Sequence, residues 1–393
     1  MTNHASPLLD FCRSQAGWVR ETVETLVRLE SPSDDKAAVD RCGEELTRRL
    51  TAIGATIARV LQTTCGDHVR AEWRSKHTTR RPSAPVLLLG HFDTVWPVGT
   101  LERMPLQERD GRLHGPGIFD MKAGITASML AMRALTEFNK GTADVVMLWT
   151  ADEEVGSSTS RALIEETALA SSAVLVLEPS LPGGAAKTSR KGVGEFELTV
   201  HGVAAHAGLD PGKGASAVHE LARQVLALEA LQDPDRGITI NVGVIAGGSR
   251  TNVIADHATA HVDVRVQTME DAARLEAAIR RLRPSRPSIR LEMSGGIGRP
   301  PLERSAGVIR LYERARNVAA TLGQEFGEGA AGGGSDGNFT AALGVPTLDG
   351  LGPQGDGAHA IQEHVLLDDL TWRGAFLARL IESLAGSTSA VQR

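Results

Sequence analysis

Short apolar runs, each followed by polar residues, mark the first half of the chain. The runs at 85–90 (PVLLLG), 144–150 (DVVMLWT) and 173–178 (AVLVLE) predict three strands that are buried on both faces. Apolar residues at helical spacing predict helices at 18–60, broken and capped by the segment SPSDD, and at 124–139. Strands that alternate with helices in this order indicate a parallel or mixed sheet covered by helices.

The hydrophobic pattern changes near Gly192. Strict alternation at 195–202 (EFELTVHG) predicts a half-exposed strand. The elements predicted after it are a helix at about 214–231, strands at about 238–246 and 257–267, a helix at about 269–283 and a strand at about 288–294. This order is βαββαβ, the split two-layer module. We therefore predict an α/β protein in which residues 193–302 form a small domain inserted into a discontinuous domain of residues 1–192 and 303–393.

Length and composition narrow the functional classes. A chain of 393 residues exceeds what one hydrophobic core usually supports, which agrees with two domains. The formal net charge of −6 argues against nucleic acid as a partner, and no apolar run approaches the roughly 20 residues that span a bilayer. Three cysteines without a CxxC pair, and an N-terminus without a signal-peptide pattern, lead us to expect a cytoplasmic protein.

Each predicted buried strand ends in acids or a histidine. The residues at these ends are His91 and Asp93, then Asp152, Glu153 and Glu154, then Glu178. In open α/β sheets, ligands bind outside the carboxyl ends of the strands. Two glycine-rich segments, HGPGIFDMKAG and GPQGDGAHA, add Asp120 and His359.

This concentration of carboxylates predicts bound metal. Uncompensated carboxylates this close would repel each other, and several would take up protons, unless a divalent cation lay between them. Imidazole and carboxylate ligands without thiolate suit zinc in a catalytic setting, and manganese or cobalt also fits. Two metals about 3.5–4 Å apart, bridged by one carboxylate, are the arrangement of hydrolytic two-metal sites such as those of aminopeptidases.

A series of motifs along nearly the whole chain resembles one family. The segments GHFDTV, HGPGIFDMKAG, ADEEVGS, LEP, HAG, TNVIADHATAHVDVR, GGGSDGN and GAHA are similar to successive motifs of the zinc-dependent aminoacylase, carboxypeptidase and succinyl-diaminopimelate desuccinylase superfamily of metallopeptidases. Within it, HFDTV and HGPG most resemble bacterial glutamate carboxypeptidases. The resemblance implies a mixed-sheet zinc-exopeptidase catalytic domain with an inserted ferredoxin-like lid and dimerisation domain. Ala255 and His114 replace the usual proline and tyrosine, which affects substrate contacts and not the metal ligands.

The same resemblance implies two Zn²⁺ ions held by five side chains. His91 and Glu178 would bind one ion, Glu154 and His359 the other, and Asp120 would bridge the two.

Further roles are implied around these ligands. Asp93 would orient the ring of His91, as metal-bound histidines usually require, and Glu153 would be the general base. His206 would reach the active site of the partner subunit in a homodimer. The peptide bond between Asp120 and Met121 would be cis.

Several positions are candidates for binding the substrate. Asn252 and Arg265 resemble substrate-binding positions of the inserted domain, and Lys187 and Arg299 are further candidates of that kind. Backbone N–H groups at Gly333, Gly334 and Ser335 would meet a substrate carboxylate, because glycine lets a ligand approach closely.

The function expected from the sequence is hydrolysis of an amide bond by a homodimeric two-zinc enzyme. The substrate would be a small or dipeptide-like molecule with a free carboxylate, either a C-terminal glutamate or amino-acid conjugate or an N-acyl amino acid. Two alternatives stay open: an N-acyl amino acid deacylase of the aminoacylase or desuccinylase kind, and an inactive relative that only binds small molecules. The second is disfavoured because all five ligand positions and Glu153 carry the required residue types.

Overall fold

The structure is a computed structural model that describes residues 7–74, 84–138 and 144–385. Its helices are α1 (Pro7–Ser14), α2 (Ala16–Arg28), α3 (Lys36–Ala52), α4 (Ala123–Glu137), α5 (Arg161–Leu169), α6 (Ala217–Glu229), α7 (Met269–Arg280), α8 (Ala306–Thr321), α9 (Gly337–Ala342) and α10 (Leu367–Ala385). The strands of the first half are β1 (Thr56–Val60), β2 (His68–Trp73), β3 (Val86–His91), β4 (Gln107–Arg109), β5 (Arg112–His114), β6 (Val145–Thr150), β7 (Ala173–Val176) and β8 (Ala186–Arg190). The later strands are β9 (Gly192–His201), β10 (Ala205–His206), β11 (Thr239–Gly247), β12 (Val253–Ile254), β13 (His257–Val266), β14 (Arg290–Arg299), β15 (Glu328–Ala331), β16 (Thr347–Leu348), β17 (Gly355–Asp356) and β18 (His364–Leu366).

The chain divides into two compact units. Unit 1 comprises residues 1–189, 304–331 and 335–393, and unit 2 comprises residues 190–303 and 332–334. The catalytic role expected for the first region and the lid or dimerisation role expected for the second stay predictions.

A six-stranded mixed sheet in the order β1-β2-β6-β3-β7-β16 forms the centre of unit 1. Strands β6, β3, β7 and β16 run parallel, and β1 and β2 are antiparallel. Along β3, Leu88 packs into one hydrophobic core whereas Leu87 and Leu89 pack into the core on the other face. Burial on both faces explains why this strand is apolar throughout, as the sequence predicts.

The helix predicted over residues 18–60 is wrong in its last part. Helix α3 ends at Ala52, and Gly54 at a φ of 94° turns the chain into strand β1. The β-branched Thr56, Ile57 and Val60 favour an extended strand, which pairs with β2. The predicted cap inside the SPSDD segment is confirmed, because the side chain of Asp35 accepts the N–H of Ala38 at 3.0 Å.

Helices α4 and α10 pack closely in unit 1. Gly374 makes this approach possible, since a Cβ at that position would lie only 2.5 Å from Leu130 Cδ2. Among the described residues, no helix has both the length and the apolar character needed to cross a membrane.

Unit 2 contains a four-stranded antiparallel sheet in the order β11-β13-β9-β14. With α6 between β9 and β11, and α7 between β13 and β14, this is the predicted βαββαβ arrangement. Side chains of both helices, Leu221 and Leu228 from α6 and Leu275 and Ile279 from α7, share one core with Leu198 of β9. The predicted α/β class with a mixed sheet and an inserted ferredoxin-like module is thus confirmed.

Glu220 on α6 is a fully buried carboxylate inside unit 2. Its Oε1 accepts hydrogen bonds from Gln224 Nε2 at 2.7 Å and from Ser285 N–H at 3.0 Å, and Oε2 accepts the Ser285 hydroxyl. Burial alone would raise the pKa of Glu220, but these hydrogen bonds outweigh burial and lower it.

We predict that Glu220→Ala lowers the free energy of unfolding by about 1–3 kcal/mol, because Ser285 and Gln224 lose a buried acceptor. A carboxylate with a folded pKa below its unfolded pKa stabilises above the unfolded value and loses this contribution as pH falls through the folded value. In urea melts, the wild-type advantage should be complete near neutral pH and shrink below about pH 4. An advantage that persisted undiminished in acid would contradict this assignment.

Candidate metal centre

The carboxyl ends of three adjacent parallel strands meet at one edge of the central sheet. His91 is the last residue of β3. Glu153 and Glu154 follow β6, and Glu178 follows β7, the two strands that flank β3. The strand order therefore explains how residues far apart in the sequence come together.

Asp120 lies between two imidazoles. It belongs to the tight turn at 118–122 that precedes α4, and the predicted cis bond from Asp120 to Met121 is present. Its Oδ1 is 3.2 Å from His91 Nε2, and its Oδ2 is 3.4 Å from His359 Nε2. One carboxylate thus turns one oxygen toward each histidine, as a bridging ligand must.

Two further carboxylates complete the cluster. Glu178 Oε1 is 3.4 Å from His91 Nε2, and Glu154 Oε1 is 3.2 Å from His359 Nε2. The structure therefore brings all five predicted ligands together as two imidazole–carboxylate pairs that share Asp120. His91 is buried whereas the His359 side chain is 49% exposed, so the cluster opens toward solvent at His359.

The charges of this cluster favour positive partners. Burial alone would lower the pKa of His91, but hydrogen bonds to Asp120, Asp93 and Glu178 outweigh it and hold the pKa well above its ordinary value. Hydrogen bonds to Asp120 and Glu154 raise the pKa of His359 to about 10. Burial would raise the pKa of Asp120, yet the two histidines keep it below its usual range. The carboxylates thus stabilise positive charge on the imidazoles between them, and a divalent cation, which needs neutral imidazoles, would displace these protons.

The donor set fits two divalent cations. It consists of imidazole nitrogens and carboxylate oxygens, and ligand atoms of His91, Asp120 and Glu154 lie within 4.8 Å of one another.

Asp93 contacts both the ring of His91 and the loop that carries Glu153 and Glu154. His91 Nδ1 lies 3.0 Å from the backbone oxygen of Asp93 and 3.3 Å from its Oδ1. The two carboxylate oxygens also accept the N–H groups of Glu153, at 3.3 Å, and Glu154, at 3.2 Å. Asp93 therefore contacts the His91 ring that it is predicted to orient. It also holds the backbone of Glu153 and Glu154, a contact that the sequence did not suggest.

The SPSDD segment does more than cap a helix. The Ser31 hydroxyl donates to the backbone oxygen of Phe92 at 2.6 Å, and the Ser33 hydroxyl donates to Asp93 Oδ2 at 2.7 Å. These two serines fix the turn after β3, and hydrophobic periodicity carries no signal for such contacts.

Glu363 holds the loop of Asp120 in place and was not singled out by the sequence. It is fully buried, and its Oε1 accepts the N–H groups of Phe119 at 2.8 Å and Asp120 at 3.0 Å. Its Oε2 accepts the N–H of Gly117 and the indole N–H of Trp96, both at 2.9 Å. Burial outweighs these hydrogen bonds and raises the pKa of Glu363 to about 7. One side chain therefore anchors the loop that carries Asp120, and its place four residues after His359 was the available signal.

In unit 2, His206 and Asn252 lie on neighbouring segments. His206 is exposed, and its Nδ1 accepts the N–H groups of Gly208 at 3.1 Å and Leu209 at 3.0 Å. The backbone oxygen of Asn252 accepts the N–H of Ala207 at 3.0 Å. Their contact with substrate stays a prediction.

Arg265 and Lys187 already have partners in their own units. Arg265 forms a two-pronged ion pair with Asp263, at 2.9 and 2.7 Å, on strand β13. Lys187 lies in β8, where its backbone N–H donates to the Asp349 oxygen at 2.8 Å.

The glycine-rich loop is held within unit 2 by Arg190, which the sequence did not single out. Its guanidinium donates to the carbonyl oxygens of Gly333 at 3.2 Å and Gly334 at 3.1 Å. Gly334 lies against Arg299, whose Cδ would be 2.6 Å from a Cβ at position 334. A larger residue at this position would require the Arg299 side chain to move.

Ser335 is buried just before helix α9. Its N–H donates to Asn338 Oδ1 at 3.0 Å, and its hydroxyl donates to Asp349 Oδ2 at 2.5 Å. The N–H thus already has an acceptor within the protein, and its contact with a substrate carboxylate stays a prediction.

Comparison with known proteins assigns the family. The pattern that describes Peptidase family M20/M25/M40 matches residues 87–383. The chain belongs to this family. As a member of the M20/M25/M40 peptidases, it is a metal-dependent hydrolase of amide bonds.

Its relatives within the M20/M25/M40 peptidases match over most of their length. Carboxypeptidase G2 of Pseudomonas sp. (strain RS-16) is 29% identical over 377 residues, which cover 93% of this chain and 89% of the relative. A succinyl-diaminopimelate desuccinylase of Xanthomonas oryzae pv. oryzae (strain MAFF 311018) is 31% identical, covering 87% of this chain and 93% of the relative. The crystal structure of aminopeptidase PepT from Bacillus cereus ATCC 10987 superposes with a TM-score of 0.79 at 22% identity, covering 94% and 99% of the two chains.

We predict that Glu363→Gln weakens metal binding by about 10–100-fold, as loss of a ligand-supporting partner does. In either orientation, the glutamine amide turns its NH₂ toward two N–H donors, so the loop that carries Asp120 is displaced. Competition with a chromophoric chelator measures the affinity. Trp96→Phe, which removes only one of the four donors, is the matched control and should have a much smaller effect. Equal affinities for wild type and Glu363→Gln would contradict the assignment.

Proposed function

We propose that the chain hydrolyses the amide bond of a carboxylate-bearing substrate, a C-terminal glutamate or amino-acid conjugate or an N-acyl amino acid, at a two-metal centre. The observation that carries the proposal is Asp120, with one carboxylate oxygen facing each of the two histidines. Each histidine has a further carboxylate of its own, Glu178 or Glu154. This symmetric donor set suits two ions and exceeds what one ion requires.

We assign His91, Glu178, Glu154 and His359 as the ligands and Asp120 as the bridge. Zn²⁺ is the proposed metal, and Mn²⁺ and Co²⁺ also suit imidazole and carboxylate donors. When bound, the two cations would make a water nucleophilic at neutral pH and polarise the amide carbonyl.

Glu153 is the proposed general base. Its N–H is held by Asp93, and the neighbouring Glu154 carries a ligand carboxylate, so the base stands beside the ligands without being one. Glu153 accepts the proton of the attacking water and delivers it to the nitrogen that leaves. Asp93 keeps the imidazole of His91 and the backbone of Glu153 and Glu154 in place during both transfers.

A free carboxylate on the substrate is supported by the chemistry of unit 2. Asn252, Arg265, Arg299 and the N–H groups of Gly333 and Gly334 are the donors that we propose for it, with Lys187 of unit 1. His206 is proposed to support the developing oxyanion in the partner subunit.

A desuccinylase-like or aminoacylase-like deacylase is the second candidate. It is favoured by the 31% identity to a succinyl-diaminopimelate desuccinylase, whereas the carboxypeptidase reading rests on the 29% identity to carboxypeptidase G2. Comparing kcat/KM for acyl-glutamates, N-acetyl amino acids and N-succinyl amino acids separates the two, with leaving groups identified by mass spectrometry.

We also propose a cytoplasmic homodimer that associates through unit 2. Strand β11 lies at the edge of its sheet and exposes Val244 (57%) and Ile245 (65%), which are apolar side chains that a partner would cover. The three cysteines are buried and unpaired, which suits a reducing compartment. Sedimentation velocity of wild type and Ile245→Lys tests the dimer, since a monomeric wild type would remove the proposed role of His206.

We predict that chelation abolishes amide hydrolysis and that Zn²⁺, Mn²⁺ or Co²⁺ restores it. Carboxylates and imidazoles alone cannot polarise the amide carbonyl, so this task falls to the bound cations. Metal content and turnover should rise together, up to about two equivalents per chain. Full turnover by exhaustively demetallated enzyme would refute the two-metal mechanism.

We predict that Glu153→Gln lowers kcat by about 100- to 10,000-fold while both metals remain bound. The amide cannot accept the proton of water, but it leaves the ligand carboxylate of Glu154 in place. Glu166→Gln, at an exposed position of α5, is the matched control and should retain wild-type kcat. Wild-type kcat in Glu153→Gln would show that another group is the base.

A further inference from the structure

Besides the metal cluster, a second group of hydrogen-bonded side chains contacts the ends of the loop that carries Glu153 and Glu154. The hydroxyl of Thr159 is 2.8 Å from Asp152 Oδ2, 3.0 Å from His68 Nε2 and 3.1 Å from Cys65 Sγ. Cys65, His68 and Asp152 are buried and Thr159 is half-buried, so these polar contacts are largely shielded from water. We call these four residues the Thr159 network.

The hydrogen bonds of the network can be assigned consistently. His68 Nδ1 accepts the N–H of Ala151 at 3.2 Å, which places the ring proton on Nε2. Nε2–H then donates to the Thr159 hydroxyl, and that hydroxyl donates to Asp152. The thiol of Cys65 lies 3.1 Å from the hydroxyl and also has the carbonyl oxygen of Gly66 as an acceptor, at 3.4 Å. The donors of His68 and Thr159 are thereby directed toward one buried carboxylate.

The network closes the loop at both ends. Asp152 Oδ2 also accepts the N–H of Thr159 at 2.8 Å, and the backbone oxygen of Asp152 accepts the N–H of Ser157 at 2.8 Å. His68, on strand β2, holds the first residue of the loop, Ala151, through its N–H. Glu153 and Glu154 lie between these fixed points, and Asp93 holds their N–H groups from the other side.

We propose that Thr159, His68 and Asp152 are positioning residues that set the place of Glu153 and Glu154 in the metal centre. The proposal rests on the function proposed above, because it assumes that these two glutamates act as base and ligand. None of the three positioning residues needs to touch the substrate. Their effect is transmitted through the backbone of residues 151–159, where a shift of about 1 Å is enough to cost roughly 100-fold in rate.

A bound cation is the rival explanation of the same residues. Ligand atoms of Cys65, His68 and Asp152 lie within 4.8 Å of one another, and Asp152 Oδ1 has no hydrogen-bond partner among the described residues. Thiolate, imidazole and carboxylate are all zinc ligands. The Thr159 hydroxyl, however, lies at hydrogen-bonding distance from all three side chains, and we therefore infer a network centred on this hydroxyl.

Thr159→Val tests the proposal, since valine has nearly the shape of threonine but no hydroxyl. We expect kcat to fall by about 10–100-fold with KM changed less than about threefold, and the weaker of the two metal equivalents to bind about 10-fold less tightly. Thr159→Ser retains the hydroxyl and should recover most of both. Thr159→Ala serves the same purpose if the valine variant does not fold.

Thr167→Val is the matched control. Thr167 is a buried threonine on α5 whose hydroxyl accepts a hydrogen bond from Arg70 at 3.2 Å, away from the loop. It should lower the melting temperature without changing kcat or metal affinity. If Thr159→Val did only the same, the network would be structural and the proposal would fail.

Cobalt substitution decides between the network and a metal site. The catalytic centre offers no thiolate, so a thiolate-to-cobalt charge-transfer band with a third equivalent of Co²⁺, both lost in Cys65→Ser, would overturn the proposal. Two equivalents without that band are expected. Metal affinity is measured without turnover, so the comparison of Thr159 variants tests the network even if the enzyme is inactive. Failure of wild type to cleave any amide would instead refute the proposed function.

Discussion

The carboxylate of Asp120, shared between two imidazoles, is the interaction on which unit 1 depends. An ionised group this deeply placed is costly unless positive charge or hydrogen-bond donors surround it. The end of β3 meets part of that need by placing His91 beside one oxygen of Asp120. The loop between β17 and β18 places His359 beside the other oxygen. The neighbouring strand ends add the carboxylates of Glu154 and Glu178, which only bound cations can compensate.

Buried carboxylates also hold the loops on which the cluster is built. Asp93 binds the backbone of Glu153 and Glu154, Glu363 binds the backbone of residues 117–120, and Asp152 binds Thr159. Each gives a loop a rigid anchor that flexible cationic side chains would not provide. The consequence is that the supports add negative charge to a region already rich in it, which increases the demand for cations at the centre.

The central strands and most of the candidate metal ligands could be predicted from the sequence. Apolar runs with polar ends locate strands buried on both faces, and the edge at which the parallel strands end brings together three of the five predicted ligands, His91, Glu154 and Glu178. Glu363 and Ser33 escape detection because their partners, the backbone of residues 117–120 and the carboxylate of Asp93, are distant in sequence. Helical spacing alone also missed the turn at Gly54 and the strand after it, where a glycine at positive φ ends the helix and β-branched residues follow. The hydrogen bond from the Ser335 N–H to Asn338 likewise leaves no trace in hydrophobic periodicity.

The interruption of unit 1 by unit 2 imposes an order on synthesis. Residues 190–303 form one continuous stretch, so unit 2 contains nearly all its partners as soon as it leaves the ribosome. The large unit must wait, because His359 and Glu363 are made last and come from the far side of the insertion. Until they are made, Asp120 lacks the imidazole of His359 and its turn lacks the carboxylate of Glu363. The segment after unit 2 therefore supplies the contacts that complete the cluster.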